Sequence, residues 1–517
     1  MPGSPVATIP SPRTVPDVSG MLKAAPENGG WTPLQRSSRV QYTRPMVGSE
    51  SWIFSWREFG DGLGDVCHGF TLNTSLSIGT VEERLKNGLC YLRFVAPLLG
   101  GTIEKGIHDP ELGSWVYTPA SGIDEVRRWA ADTLSVVETT TSPNDFVNHA
   151  VTTPLPYTLS DGKTQYWKLF LLRDAAGPIG LFAHGTHALF DAHPTLKMLQ
   201  TLLDEIVQPH DDEFIRSLAW GEEWRNLCAD PIIATGPREG WDDEGMKLVQ
   251  FMQSQMTSPV PMHGLKPRRP AIQDVTTVHR VVQTLEPDVT RSVLAALKRT
   301  GHTVTQLVEA ATILALFAEN PDVASPEEAH VTLDLCFISL MKHLVPPYEP
   351  ATHIVSCSGL VWIKVPYSVF RTEDDAAKRL CLIMGHLRDQ YAVYLSSPHL
   401  PHLTARVAQM VPLRVAPPTL WPNKSANILT NIGVIDRIAK LDYYEHPGDA
   451  HPLVAVDDMI FCHSVGETHR PIVHAWTIKG RLHMQIRGAD VWDSSQLEQF
   501  GSRILEFVRL ISTASVA

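Results

Sequence analysis

Leu181-Phe182-Ala183-His184-Gly185-Thr186-His187-Ala188-Leu189-Phe190-Asp191-Ala192-His193-Pro194 is the stretch on which the reading of this chain turns. It begins in the apolar run Ile179 to His184, which reads as a buried strand. Ahead of that run, Arg173-Asp174-Ala175-Ala176-Gly177-Pro178 reads as a turn, since Gly and Pro supply unusual or fixed dihedrals. Gln165 to Leu172 reads as the partner strand of a hairpin. After Pro194 the period changes: Leu196, Leu199, Leu203 and Ile206 fall on one face of a helix. Proline is well tolerated in a helix's first turn. His184, His187, Asp191 and His193 therefore sit at a strand-to-helix junction, where a rigid scaffold holds exposed side chains.

Three readings of this junction stay open from the residues alone. In the first, His184 is a core histidine and Asp191 caps the helix, where its charge suits the positive end of the dipole. In the second, His184, His187, Asp191 and His193 ligate a metal, although their spacing matches no established zinc pattern. In the third, a histidine works as a general base. Neutral imidazole accepts a proton near pH 7, and a neighbouring carboxylate fixes its tautomer or holds the loop.

Outward from the junction, the first 30 residues are rich in Pro, Ser and Gly and read as a flexible tail. Residues 31–255 form a first half. Its predicted helices run from Val81 to Leu98, with Thr80 and Glu83 at capping-box spacing, and from Ile123 to Val137. Trp52, Phe54 and Trp56 alternate like a strand. Residues 256–273 hold four prolines and read as a linker. Residues 274–517 form a second half. It opens with a strand at Val278–Leu285, a helix at Pro287–Lys298, a turn at Thr300-Gly301, and a helix at Thr305–Ala318 capped by Thr303 or Thr305. Strands follow at Ala329–Leu340 and His353–Val365, then a helix over Glu373–Leu395. Strands at Ile428–Ile435, Asp458–Ser464, Pro471–Ile478 and Leu482–Arg487 and a helix at Ser494–Ile511 complete it. Strands and helices mix in two comparable halves, which predicts an α/β protein.

Composition removes whole classes. With 43% hydrophobic and 19% charged residues, the 517-residue chain is neither disordered nor fibrous. Its 44 basic and 56 acidic side chains give a net charge of −12, which leaves no electrostatic footprint for nucleic acid. The seven cysteines are scattered without a CxxC and read as reduced core thiols, not a disulfide framework or zinc site. No basic start precedes an apolar run at the N-terminus, and no stretch of about 18 apolar residues appears. The expectation is a cytoplasmic protein without a membrane partner.

His187-Ala188-Leu189-Phe190-Asp191 resembles the HxxxD motif of the chloramphenicol-acetyltransferase-like superfamily. That group includes BAHD acyltransferases, peptide-synthetase condensation domains, and fungal alcohol and trichothecene O-acetyltransferases. The setting is similar too: after a strand, before an amphipathic helix, in the first of two halves. Val278 to Ala318, with Gly301-His302-Thr303-Val304-Thr305, looks like the start of the family's second half. Leu429-Thr430-Asn431-Ile432-Gly433 is similar to the Ser-Asn-Leu-Gly stretch of the fungal alcohol acetyltransferases. The resemblance spans roughly residues 40–517, and the HxxxD segment is its sharpest part.

The resemblance implies two similar domains, each a mixed sheet with helices, and an active-site tunnel at their interface. It implies a monomeric CoA-dependent O-acyltransferase, an O-acetyltransferase acting on a hydroxyl of a small specialised metabolite such as a terpenoid or polyketide. His187 would deprotonate the acceptor, which attacks the thioester of acetyl-CoA or another acyl-CoA. CoA is a co-substrate here, with no permanently bound cofactor and no metal. Asp191 would support the loop, turned from the substrate onto an arginine. Thr430 and Asn431 are candidates for stabilising the oxyanion, and His463 and Ser464 for lining the tunnel. Lys266, Arg268 and Arg269 are candidates for meeting CoA phosphates, against a plainer reading as a solvated basic linker. Two departures stand out. The glycine that often follows the aspartate is Ala192, and the expected arginine position carries Met341, with Lys342 beside it. The DFGWG motif of plant BAHD enzymes is absent, which points toward the fungal or trichothecene type. The alternative function is the same fold turned to condensation or cyclisation without an acyl-CoA donor.

Overall fold

A computed structural model describes residues 29–36, 39–59, 64–108, 112–175, 177–237, 241–256, 262–268, 278–410, 427–464, 471–489 and 491–513. Two six-stranded sheets dominate it. The first runs, in spatial order, Asp442–Tyr443, Val454–His463, Val66–Thr74, Pro178–Gly185, Trp167–Arg173 and Leu134–Glu138. The second runs His279–Leu285, Arg481–Gly488, Ile472–Ile478, Asn427–Val434, His330–Ser339 and Ser358–Pro366. Both mix parallel and antiparallel pairs. A separate four-stranded sheet holds Thr32–Arg36, Arg39–Pro45, Gly113–Tyr117 and Thr102–Lys105.

The chain does not keep each sheet to one half. Val454–His463 leaves the second half and pairs antiparallel with Val66–Thr74, placing Phe461 opposite His68 and His463 opposite Val66. This exchanged strand closes the edge that Val66–Thr74 would otherwise present, where unpaired backbone groups are a liability. It also carries second-half side chains to the first-half sheet.

Local chemistry explains most elements. Ala192–Val207 buries Leu196, Leu199, Leu203 and Ile206, as the helical period requires. Pro287–Thr300 ends on Gly301, whose φ of 69° is the left-handed cap that glycine adopts cheaply. Val304–Glu319 starts at Thr303, which forms a full capping box with Gln306. That helix is the apolar centre of the second half, with Leu307 through Leu316 buried. No single described helix is long and apolar enough to cross a membrane.

Several expectations need correction. Trp52 and Phe54 lie on a helix, Ser49–Phe59, and not on a strand. The helix expected from Val81 begins at Ile78, because Ser77 accepts the Thr80 N–H and caps it one turn earlier. The helix begun at Ile123 stops at Thr133. Leu134–Glu138 then pairs parallel with Trp167–Arg173, since a run of Val136 and Val137 suits a strand better than a helix. Val66–Thr74, central to the first sheet, was not foreseen. The strand expected from His353 begins at Ser358, and Ser356 and Cys357 just before it serve the site instead. The expected linker is described only over 262–268, following the helix Met246–Met256, and it is strapped to the second half. There His263 N–H donates to His330 O, and Gln496 Nε2 donates to Lys266 O.

Candidate active site

The strand Pro178–Gly185 delivers the chain to the junction between the sheets. His184, its penultimate residue, is fully buried, with Nδ1 2.6 Å from Tyr157 Oη. Burial pushes its pKa down to about 4, so it is a neutral core histidine. The chain then turns tightly: the N–H groups of Leu189 and Phe190 both donate to Thr186 O. Phe190 packs edge-on against Trp167, which anchors the turn in the core. His187 is left at the surface of the cleft, one-fifth exposed, with its ring parallel to Phe337.

Asp191 occupies the helix's N-cap position but makes no capping hydrogen bond with its side chain. Its carboxylate is buried and occupied elsewhere. Oδ1 lies 3.2 Å from His187 Nδ1 and accepts from Ser356 Oγ at 3.1 Å. Oδ2 accepts from Cys357 N–H at 2.8 Å and from Ser358 Oγ at 2.5 Å. Desolvation would raise the pKa of this carboxyl, but His187, Ser358 and the Cys357 N–H outweigh it and hold the group below its ordinary value. The His187–Asp191 contact is close but too poorly aligned to count as a good hydrogen bond. It buries Nδ1 and leaves the Nε2 edge to the cleft.

The expected arginine partner is therefore replaced. Met341 is buried in the second-half core, Lys342 is exposed, and neither reaches Asp191. Two hydroxyls and a backbone N–H satisfy the carboxylate, as neutral donors can for a buried anion. Ala192 opens the helix without difficulty. The described non-glycine residues with positive φ are Ser325 and Lys479, so the position needs no glycine.

The cleft spans about 1100 Å³, its opening to solvent included. Besides His187 and Asp191 it is lined by His193, Thr430, Asn431, His463 and Ser464, so seven candidate site residues singled out in the sequence converge. Apolar walls come from Phe190, Phe337, Ile432, Phe461 and Ile472. Asn431 is committed to its surroundings: Nδ2 donates to Thr305 Oγ1 and Oδ1 accepts the Gly433 N–H. Thr430 lines the cleft, and its hydroxyl has no hydrogen-bond partner among the described residues. His463 Nε2 lies 3.0 Å from His474 Nε2, and desolvation drives both pKa values well below that of free histidine. His193 Nε2 meets Ile432 O at 2.9 Å and links the halves. Of the four junction groups, His187 and Asp191 meet each other, while His184 pairs with Tyr157 and His193 with Ile432 O. Among the described residues no cluster of three or more His, Cys, Asp or Glu could hold a metal.

Lys266 and Arg268 do not line the cleft. Both are exposed on the segment strapped to Ser494–Leu510, where Arg268 donates to Gln499 Oε1. Arg269 lies outside the described residues. Sequence reading missed His68, Ser358 and His474. His68 is buried opposite Phe461, and desolvation drives its pKa down to about 3. A polar residue inside an apolar strand run, as in Val66-Cys67-His68-Gly69-Phe70, was the available signal.

Two six-stranded sheets meeting at such a histidine turn define the chloramphenicol-acetyltransferase-like fold, and this chain has it. Among solved structures, the trichothecene 15-O-acetyltransferase from Fusarium sporotrichioides is similar with a TM-score of 0.78 at 17% identity, over 93% of this chain and 98% of that one. The condensation domain of the Monacolin K polyketide synthase is similar at 0.62 and 10%, over 93% and 98%. The first condensation domain of the calcium-dependent antibiotic synthetase is similar at 0.60 and 13%, over 91% and 97%. No protein-family model matches the chain, and no curated protein matches it in sequence.

Proposed function

We propose that this protein is a CoA-dependent O-acyltransferase, acetylating a hydroxyl of a small specialised metabolite such as a terpenoid or polyketide. One observation carries the reading. His187 stands on the cleft wall with Nδ1 buried against a charged Asp191 and its other edge open to a largely apolar cavity. A carboxylate at Nδ1 keeps the proton there and leaves Nε2 as the base. In this reading Nε2 takes the proton of the acceptor hydroxyl as its oxygen attacks the thioester carbonyl. The tetrahedral oxyanion collapses, the thiolate leaves, and the imidazolium returns the proton to sulfur. No acyl-enzyme forms. Thr430 is the better placed oxyanion donor, because its hydroxyl is uncommitted while the Asn431 amide is occupied. The similarity to a trichothecene O-acetyltransferase supports an alcohol acceptor.

The similar condensation domains favour a second reading, acyl transfer or cyclisation on carrier-bound substrates. Thiol release from acetyl-CoA, followed across a panel of terpenoid and polyketide alcohols, separates the two. Alcohol-dependent release supports the first. Turnover only with a carrier-protein thioester, or with no thioester at all, contradicts it.

A further inference from the structure

The face of the second sheet that looks into the cleft carries two guanidinium groups directly opposite one another. Arg280 is the register partner of Arg487, and Arg487 is the partner of Ile472, which lines the cleft. Directly opposed residues of antiparallel strands share a face, so all three project together. His474, two residues beyond Ile472, and its own partner Gln485 lie on that face too. Like charges opposed in this way are ordinarily unfavourable. Arg280 finds neutral acceptors: Nε donates to Gln485 Oε1 and Nη1 to Asn144 Oδ1.

Arg487 finds none. It is 0% exposed, and Nε, Nη1 and Nη2 have no hydrogen-bond partner among the described residues. A further buried donor beside it is also unsatisfied, Gln485 Nε2, while His474 on the same face donates through Nε2 to His463. Among the described residues the groups whose charge bears on Arg487 are Cys462 and Arg280, and the carboxylate nearby, Asp458, bears on Arg280 instead. A buried charge is normally paired and a buried donor normally bonded. Four orphaned donor nitrogens on Arg487 and Gln485, next to the cleft wall, mark a seat for acceptor atoms that the described residues do not supply.

We propose that Arg487, with Gln485, binds an oxyanion group of a ligand held in the cleft. The planar fork of arginine receives two oxygens side by side, the geometry of a carboxylate or phosphate. Under the acyltransferase reading, on which this proposal rests, two sources share that chemistry: the carboxylate of a hydroxy-acid acceptor and a phosphate of the thioester donor.

Calorimetric titration of wild type, Arg487→Gln and Arg487→Lys with decanoate, decanol and coenzyme A tests it. The expected result is tenfold or greater weakening of at least one anion in Arg487→Gln, partial retention in Arg487→Lys, and unchanged decanol affinity. Loss confined to decanoate assigns the seat to an acceptor carboxylate, and loss confined to coenzyme A assigns it to a donor phosphate. Thermal melts guard against a purely structural arginine. Arg487→Gln without ligand should melt no lower than wild type, and the bound anion should raise only the wild-type midpoint. Failure of both anions to bind wild type, equal affinities in wild type and Arg487→Gln, or a lower midpoint with an unchanged ligand shift overturns the proposal. A fully active His187→Ala together with anion loss in Arg487→Gln would remove the acyltransferase reading and leave the seat standing.

Discussion

Asp191 is the residue on which the site's geometry rests. It is buried and charged, and it collects two hydroxyls, one backbone N–H and an imidazole from segments about 165 residues apart. A hydrogen bond to a charged group contributes about 1.5–3 kcal/mol, so Ser358→Ala should lower stability at pH 7 by about that amount. Urea denaturation reads the change. Asp191→Asn keeps the size and removes the charge that holds the imidazole. It should lower turnover far more than substrate affinity, which steady-state kinetics on a responsive alcohol would show as a fall in kcat with little change in KM. The depressed Asp191 pKa also sets a sign. Its stabilisation is present above the ordinary carboxyl value of 3.8 and disappears as pH falls through the lower native value. The acid limb of the stability profile should therefore flatten in Asp191→Asn.

At the scale of elements, the strand Pro178–Gly185 and the helix Ala192–Val207 fix the turn between them. Gly185 sits where a Cβ would come within 2.6 Å of Trp167 Cβ and 2.9 Å of Phe190. Gly185→Ala should push Phe190 aside and disturb the His187 turn, costing about 1–3 kcal/mol as overpacking does. A lower melting temperature together with reduced turnover would check this. This element pair was legible in the sequence because both periods are clear: an apolar run, then Leu196, Leu199, Leu203 and Ile206. The turn between them was not. HxxxD fixes which residues are present but not that Asp191 would reach Ser356, Cys357 and Ser358, because that depends on how the halves dock. The false strand at Trp52 and Phe54 and the missed strand Val66–Thr74 have a related cause. Short apolar runs carry no decisive period, and tertiary pairing chooses between helix and strand.

At the scale of the whole molecule, the site exists only where the halves meet. Val454–His463 crosses to the first sheet, Ser356 N–H donates to Ala188 O, and His193 reaches Ile432 O. The sequence showed two comparable halves, but an exchanged strand leaves no local mark and stayed hidden. The chain is also rich in imidazole, with 22 histidines. Among the described residues, His68, His108, His184, His263, His302, His330, His353, His463, His474 and His483 all have lowered pKa values, mainly through burial. Four carboxyls, Glu50, Asp65, Asp230 and Glu309, are raised and act in the opposite sense. A histidine with a lowered native pKa binds more protons unfolded, so its contribution is present above about pH 6.5 and is lost as pH falls through the native value. Ten against four sets the direction: the urea midpoint should be lower at pH 5 than at pH 7.

The central claim is that His187 is the base for acyl transfer. The most direct test is the alcohol-dependent release of free thiol from acetyl-CoA, measured in parallel for wild type and His187→Ala of matched circular dichroism and melting temperature. A general base typically contributes about 10²–10⁴-fold in rate, so the account predicts that the variant is slower by at least about a hundredfold. Near-wild-type thiol release from a folded His187→Ala would contradict it.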